Sequence, residues 1–315
     1  MPKGIITQTF VVLFREYIEV ASLKPLLSEF NIVKETPGNA NWALGGPGLI
    51  LEYLRKINGL IAVDVVNQPW PDHMGNPKTE MEIFGAWAMG WFGPFTYPGG
   101  LERATQQSWQ WPEAKSAVPQ HAGFLRLRIS YGFGLPKDAK CIPDNYDPLG
   151  ELEFLSALAS TLLQHPAALC YFNPSGELLL PKAGLDRQIT FAREHKLPAL
   201  PAWTNVRLFN FDANWLVMDT VGNWQLDMPD QEMAIPRATF DGAAYDAWLR
   251  DVSLYVFRKP GAIKDGNTMD RPGGEKWQGK TFPQGICPPL RQVIRWLPFG
   301  VKDIPPQFLL EKPAK

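Results

Sequence analysis

Alternation of apolar and polar residues is clearest over 122–130, where Leu125, Leu127 and Ile129 fall on one side and Arg126, Arg128 and Ser130 on the other. A period of two predicts a half-buried antiparallel strand. A β-branched and aromatic run over 7–14 predicts an earlier strand, and 49–54 and 60–66 predict two more, joined at Asn58-Gly59, a strong hairpin signal. Helical spacing replaces alternation elsewhere. Leu152, Leu155, Ala159 and Leu162 make a stripe over 149–164, behind Asp147-Pro148 as cap and first turn. Tyr245, Trp248, Leu249, Val252 and Val256 make another, behind a capping Asp241. Leu23, Leu26, Leu27 and Phe30 predict a helix capped by Ser22, and 82–91, 101–109, 113–118 and 184–195 predict further ones. A strand is expected at 167–172, and a hairpin joins 204–209 to 215–219 around Asp212-Ala213-Asn214. After residue 259 the chain is rich in Pro and Gly, with one apolar patch at 293–299 and a frayed end at 311–315.

Strands and helices mix without strict alternation, which predicts an α+β fold: mostly antiparallel sheet with packed helices. Length allows a single globular unit over 1–315. Strand–helix–strand units beginning at residues 7 and 122 leave open a subdivision into two similar halves, 1–118 and 119–300, with 301–315 as a tail.

Composition changes the picture by exclusion. A net charge of -1 gives no footprint for nucleic acid or an anionic membrane. Residues 83–100 carry no charge, but Pro94, Pro98 and several glycines break the run, so no membrane span is expected. Residues 1–7 lead into a strand and lack the pattern of a signal peptide. Three cysteines, odd in number and far apart, argue against a disulfide framework and for a reducing, cytoplasmic setting.

The ordered set Pro69-Trp70-Pro71, Trp111-Pro112, His121-Ala122, 167–171, Trp203-Thr204-Asn205-Val206-Arg207, Asp219-Thr220-Val221-Gly222, Asp265-Gly266-Asn267-Thr268 and Pro289 resembles the bacterial family known as domain of unknown function 4261. The resemblance runs from about 7 to 297, with an aromatic insertion at 73–100. It implies a fold and a bacterial source, and it brings no catalytic residues.

Candidate chemistry is sparse. His73, His121, His165 and His195 lack metal-ligand spacing, and neither a zinc motif nor any cofactor fingerprint occurs. His121 reads as a packing residue or as an acid/base group. Cys170 lies in an apolar strand, Cys141 has polar neighbours, and Ser175 reads as a turn serine. Gly45-Gly46-Pro47-Gly48 matches no phosphate loop and reads as a turn. Asp219 and Thr220 read as groups that satisfy backbone where the chain leaves a hairpin, or as part of a site. Trp70, Trp87, Trp91, Trp109 and Trp111 crowd one stretch with Phe92, Phe95 and Tyr97. Such a cluster serves a core or a partner surface, and the pattern does not separate the two.

The expectation is therefore a protein without catalytic residues that binds another protein, or itself, through Trp87, Trp91, Phe92, Phe95, Tyr97 and Trp109. A concrete form is an immunity or accessory protein for a toxin of type VI secretion. The alternative is a hydrolase with a site around His121, Arg207 and Asp219.

Overall fold

The apolar run at the start of the chain becomes strand β1 (Gln8–Phe14), and it lies inside a sheet rather than at its edge. The computed structural model describes residues 3–136, 140–271 and 274–310. The chain divides into two units, 1–202 and 203–315. Each has its own mostly antiparallel sheet with packed helices, an α+β architecture.

In the first unit β1 is followed by α1 (Val20–Leu23), β2 (Ile32–Thr36), β3 (Gly48–Leu54) and β4 (Gly59–Val66). Next come α2 (Met81–Ala88), α3 (Gly100–Gln106), α4 (Ala114–Ala117), β5 (Gly123–Ser130), α5 (Pro148–Leu162), β6 (Ala168–Asn173), β7 (Leu178–Leu180) and α6 (Lys182–His195). The sheet order is β2-β3-β4-β5-β1-β6-β7. Because β5 is inserted between β4 and β1, residues on both sides of position 118 share one sheet, and the expected subdivision at 118/119 is not where the chain divides.

Register sorts the two faces. Phe10, Val12, Leu125, Leu127 and Ile129 point to one face, where α5 and α6 pack. Thr7 Oγ1 donates to Glu151 Oε1 at 2.7 Å and ties the approach to β1 to α5. Asp147 caps α5 through the Leu149 N–H, as its sequence predicts. Val11, Leu13, Asp64, Val66, Phe124, Arg126, Arg128 and Phe172 point to the other face. Over much of that face lies a cap built from 67–122, whose Trp70, Ala86, Trp87, Phe92, Leu101, Ala104, Ala114 and Val118 form one buried cluster with Val11, Leu13, Val66, Phe124 and Phe172. The cap explains why β5 is buried along its whole length instead of half-buried.

The helix expected over 23–30 shortens to α1 followed by turns. Leu23 and Leu27 are buried, but Ser22 is no cap, and its hydroxyl donates back to the Glu19 carbonyl at 2.7 Å.

α7 (Leu200–Trp203) spans the division between the units. The second unit holds β8 (Asn205–Asn210), β9 (Trp215–Val221), β10 (Asp230–Pro236), α8 (Gly242–Arg258), β11 (Thr268–Asp270), β12 (Lys276–Phe282) and β13 (Val293–Pro298). Its order is β11-β12-β13-β10-β9-β8, and among the described residues only the β10–β13 pair is parallel. Asp241 caps α8 by accepting from the Ala244 N–H at 3.1 Å. The α8 stripe is buried as expected, with Trp248 edge-on to Trp296 at 5.0 Å and Tyr245 edge-on to Trp277 at 5.7 Å. The region after 259, expected to carry one apolar patch, thus supplies three strands. The end at 311–315 lies outside the described residues. Among the described residues no helix is long and apolar enough to cross a membrane.

Candidate functional site

Two buried charge clusters dominate the polar chemistry, one in each unit. In the first, Arg126 and Arg128 stand two apart on β5 and therefore share a face with Asp64, the β4 residue opposite Arg126. Asp64 Oδ2 accepts from Arg126 Nε at 3.1 Å, Arg126 Nη2 at 2.6 Å and the Gly46 N–H at 2.9 Å. Its Oδ1 accepts from Arg128 Nη2 at 2.8 Å. Arg126 is completed by the Ala43 and Trp42 carbonyls, and its guanidinium lies 5.5 Å from the centre of the Phe92 ring. Burial works against the charged carboxylate, but the two guanidinium groups hold Asp64 below the usual range. The polar side of β5 was expected to be a solvated face, and it is instead an ion cluster under an aromatic cap.

Arg128 is bonded differently from Arg126. Its Nη1 donates to the Leu44 and Trp91 carbonyls at 3.1 and 3.2 Å, and the Trp91 ring lies 5.6 Å from the guanidinium carbon. Burial and the neighbouring Arg126 push it down to about 10 against the pull of Asp64. It lines a cavity of about 560 Å³ over β2, β3 and β4, together with Ile50, Leu60, Ala62, Trp91 and Phe133. The 45–48 turn walls that cavity. It is a turn as read from sequence, and its glycines are imposed by packing: a Cβ on Gly46 would stand 1.9 Å from the Val65 carbonyl oxygen.

The aromatic stretch resolves position by position. Trp70 stands at its centre, edge-on to Trp87, Phe92, Phe124 and Phe172 at 5.2–6.0 Å. Trp87 and Phe92, expected on a partner surface, are core residues at 7% and 0% exposure. Trp91, Phe95 and Tyr97 are half-buried, and Trp109 is 54% exposed. Met81 and Met89, which the sequence reading passed over, are 68% and 60% exposed, Met81 opening α2 and Met89 capping its C-terminus. An exposed pair at helical spacing within the insertion was the available signal.

His121 belongs to the same cap. The Trp70 N–H donates to its Nε2 at 2.9 Å, so Nδ1 carries the proton and donates to the Val118 carbonyl at 2.6 Å. Burial pushes its pKa down. Both ring nitrogens are thus engaged with backbone, which is the packing role.

The second unit brings Arg207 and Asp219 together and extends the pair into a row. Register aligns Arg207, Asp219, Glu232, Arg295 and Lys280 across β8, β9, β10, β13 and β12, one per strand on one face. Arg207 donates to Asp219 through Nε and Nη2 at 3.0 and 2.7 Å. Arg291 adds Nη2 to Asp219 Oδ2 at 2.7 Å and Nε to Asp230 Oδ2 at 3.1 Å. Arg295 pairs with Glu232 Oε1 at 2.5 Å, while Glu232 Oε2 accepts from the Ile286 N–H at 2.6 Å. The arginines also hold loop and tail carbonyls: Pro288 on Arg207, Cys287 and Pro289 on Arg291, and Phe308 on Arg295. This face is therefore clamped under 283–292 and the segment at 308 by charge-assisted bonds. Thr220 satisfies backbone as expected, accepting from the Gln231 N–H at 2.8 Å, whereas Asp219 serves arginines instead.

Cys170 and Cys287 are buried, and burial raises both thiols. Cys141 is exposed. Among the described residues no three His, Cys, Asp or Glu side chains are placed to hold a metal ion.

Residues 219–297 match the family model described as domain of unknown function (DUF4261). That match contains Asp219, Asp230, Glu232, Lys280, Arg291 and Arg295, so the charge row of the second unit lies within it except for Arg207. The family carries no assigned activity. No curated protein matches the chain, and no solved structure does.

Proposed function

We propose that this chain is a non-catalytic protein-binding protein that docks its partner on the outer surface of the aromatic cap. The observation that carries the reading is the contrast within that cap: Met81, Met89 and Trp109 are exposed, while Trp70, Trp87 and Phe92 beneath are locked in the core. Methionine adapts to a partner's shape and tryptophan anchors it, and a rigid base lowers the entropy cost of docking. The buried polar groups support the same reading. Asp219 and Glu232 are committed to arginines and loop backbone, and His121 to two backbone groups. An immunity or accessory protein for a secreted toxin, of the type VI secretion kind, is the concrete form of this proposal.

The test uses the tagged protein as bait in its native host. A stoichiometric partner is expected with the wild type and is lost with Met89→Glu and with Trp109→Ala, both variants keeping the wild-type circular dichroism. Recovery that is indifferent to both substitutions overturns the reading. A self-association lost in the same variants, read by light scattering, identifies the partner as a second copy.

A further inference from the structure

The cavity beside Arg128 is a separate feature from the exposed cap residues. Its floor carries unequal charge: two guanidinium groups, Arg126 and Arg128, share the single carboxylate of Asp64. Arg126 spends its donors on Asp64 and on the Ala43 and Trp42 carbonyls. Arg128 does not. It is 3% exposed, and its Nε–H has no hydrogen-bond partner among the described residues. A buried donor left unpaired costs free energy that a ligand acceptor can recover.

The surroundings suit an acceptor with an apolar body. Ile50, Leu60, Ala62, Trp91 and Phe133 line the space, and a cavity of about 560 Å³ lies in the size range of small-molecule sites. Gly45 adds no side chain over the arginine: a Cβ there would stand 3.6 Å from Arg128 Nη2. Exposed Lys34 adds positive charge to the lining.

We propose that this cavity binds a carboxylate with an apolar, aromatic-sized body, its carboxylate on Arg128 and its body between Trp91, Phe133 and the Ile50–Ala62 surface. One carboxylate balances the one uncompensated guanidinium, whereas a phosphate dianion would bring excess negative charge beside Asp64. A carboxylate oxygen supplies the acceptor that the Arg128 Nε–H lacks. The same chemistry comes from a free aryl-alkanoic acid or from the C-terminal residue of a peptide.

The experiment is calorimetric titration of the whole protein with 3-phenylpropionate and with N-acetyl-phenylalanine, each against its neutral counterpart, 3-phenylpropanol and N-acetyl-phenylalaninamide. The acids are expected to bind saturably, at least tenfold more tightly than the neutral compounds. Tighter binding of 3-phenylpropionate identifies a free acid, and tighter binding of N-acetyl-phenylalanine a chain terminus. Because Arg128→Gln removes a buried structural bond, two further variants carry the test. Ala62→Phe, which fills the cavity, is expected to abolish binding, and Lys34→Glu, on the surface, to weaken it about threefold. No saturation by either acid, equal affinity for the neutral compounds, or unchanged binding by Ala62→Phe with a native denaturation profile overturns the proposal.

Discussion

Asp219 takes two parallel hydrogen bonds from Arg207, Nε to Oδ1 at 3.0 Å and Nη2 to Oδ2 at 2.7 Å, with both side chains fully buried. Arg291 then lands on the same Oδ2, so one carboxylate neutralises parts of two guanidinium groups and fastens the 287–291 loop to the sheet. Geometry of this kind is worth little as a simple pair, because both ions lose hydration on burial, and its removal from one side is costly.

Asp219→Asn should therefore destabilise the second unit by about 3–5 kcal/mol, since it removes the buried carboxylate charge that Arg207 and Arg291 share. Urea unfolding followed by Trp fluorescence measures this. An effect under about 1 kcal/mol would show that the loop carbonyls alone carry the arginines.

Gly46→Ala tests the wall of the cavity. The added methyl would stand 1.9 Å from the Val65 carbonyl oxygen, so the turn has to move away from β4 and the Gly46 N–H from Asp64. A loss of about 2–3 kcal/mol is expected from overpacking against backbone. Gly45→Ala, with only ordinary contact to Arg128, should stay within about 0.5 kcal/mol on the same denaturation curve.

His121 gives a pH signature. Its folded pKa lies below the ordinary 6.5, so the neutral ring is the native form. The stability it contributes is complete above 6.5 and is lost as pH falls from there through the folded pKa. His121→Ala leaves the Trp70 N–H unpaired and should cost about 1–3 kcal/mol at pH 8, with a smaller gap to wild type at pH 5. A gap independent of pH would show that the ring acts by packing alone.

Glu151 titrates with the opposite sense. Burial raises its pKa above 4.5, while Thr7 and Lys3 pull it down by less. A raised carboxyl favours the fold below 4.5, and that contribution disappears as pH climbs through the folded pKa. Glu151→Gln keeps an acceptor for Thr7 and removes the buried charge. Its stability relative to wild type should rise from pH 4 to pH 8, measured as the shift in urea midpoint. A constant offset would place the Glu151 charge in contact with water.

Much of the element order was readable because each stretch announced itself locally. Asp147 and Asp241 cap their helices, Asn58-Gly59 turns its hairpin, and the α8 stripe from Tyr245 to Val256 is buried throughout. What was hidden depends on distant partners. Arg126 and Arg128 alternate as solvated residues would, and only the register with Asp64 and the arrival of the cap make them an interior cluster. Trp87 and Phe92 carry no local mark that separates a core aromatic from an interface one. Strand β12, Lys276–Phe282, has no clean alternation because Gly279 occupies the position under Trp296. Arg207 and Asp219 were singled out together and do meet, twelve residues apart across one hairpin, whereas Arg291 reaches Asp219 and Arg295 reaches Glu232 from a region that read as Pro- and Gly-rich with one apolar patch.

The place of β13 in its sheet sets an order of events. Residues 293–298 lie between β10 and β12, and their parallel pairing with β10 bridges some sixty positions of chain, Asp230 opposite Val293. A growing polypeptide can zip β8, β9 and β10 as it emerges, but β10 keeps an open hydrogen-bonding edge, with Asp230 and Glu232 lacking Arg291 and Arg295, until those last strands are made. The nascent second unit is thus an unfinished sheet edge lined with uncompensated acids, and negative charge along such an edge discourages pairing with other chains during the wait.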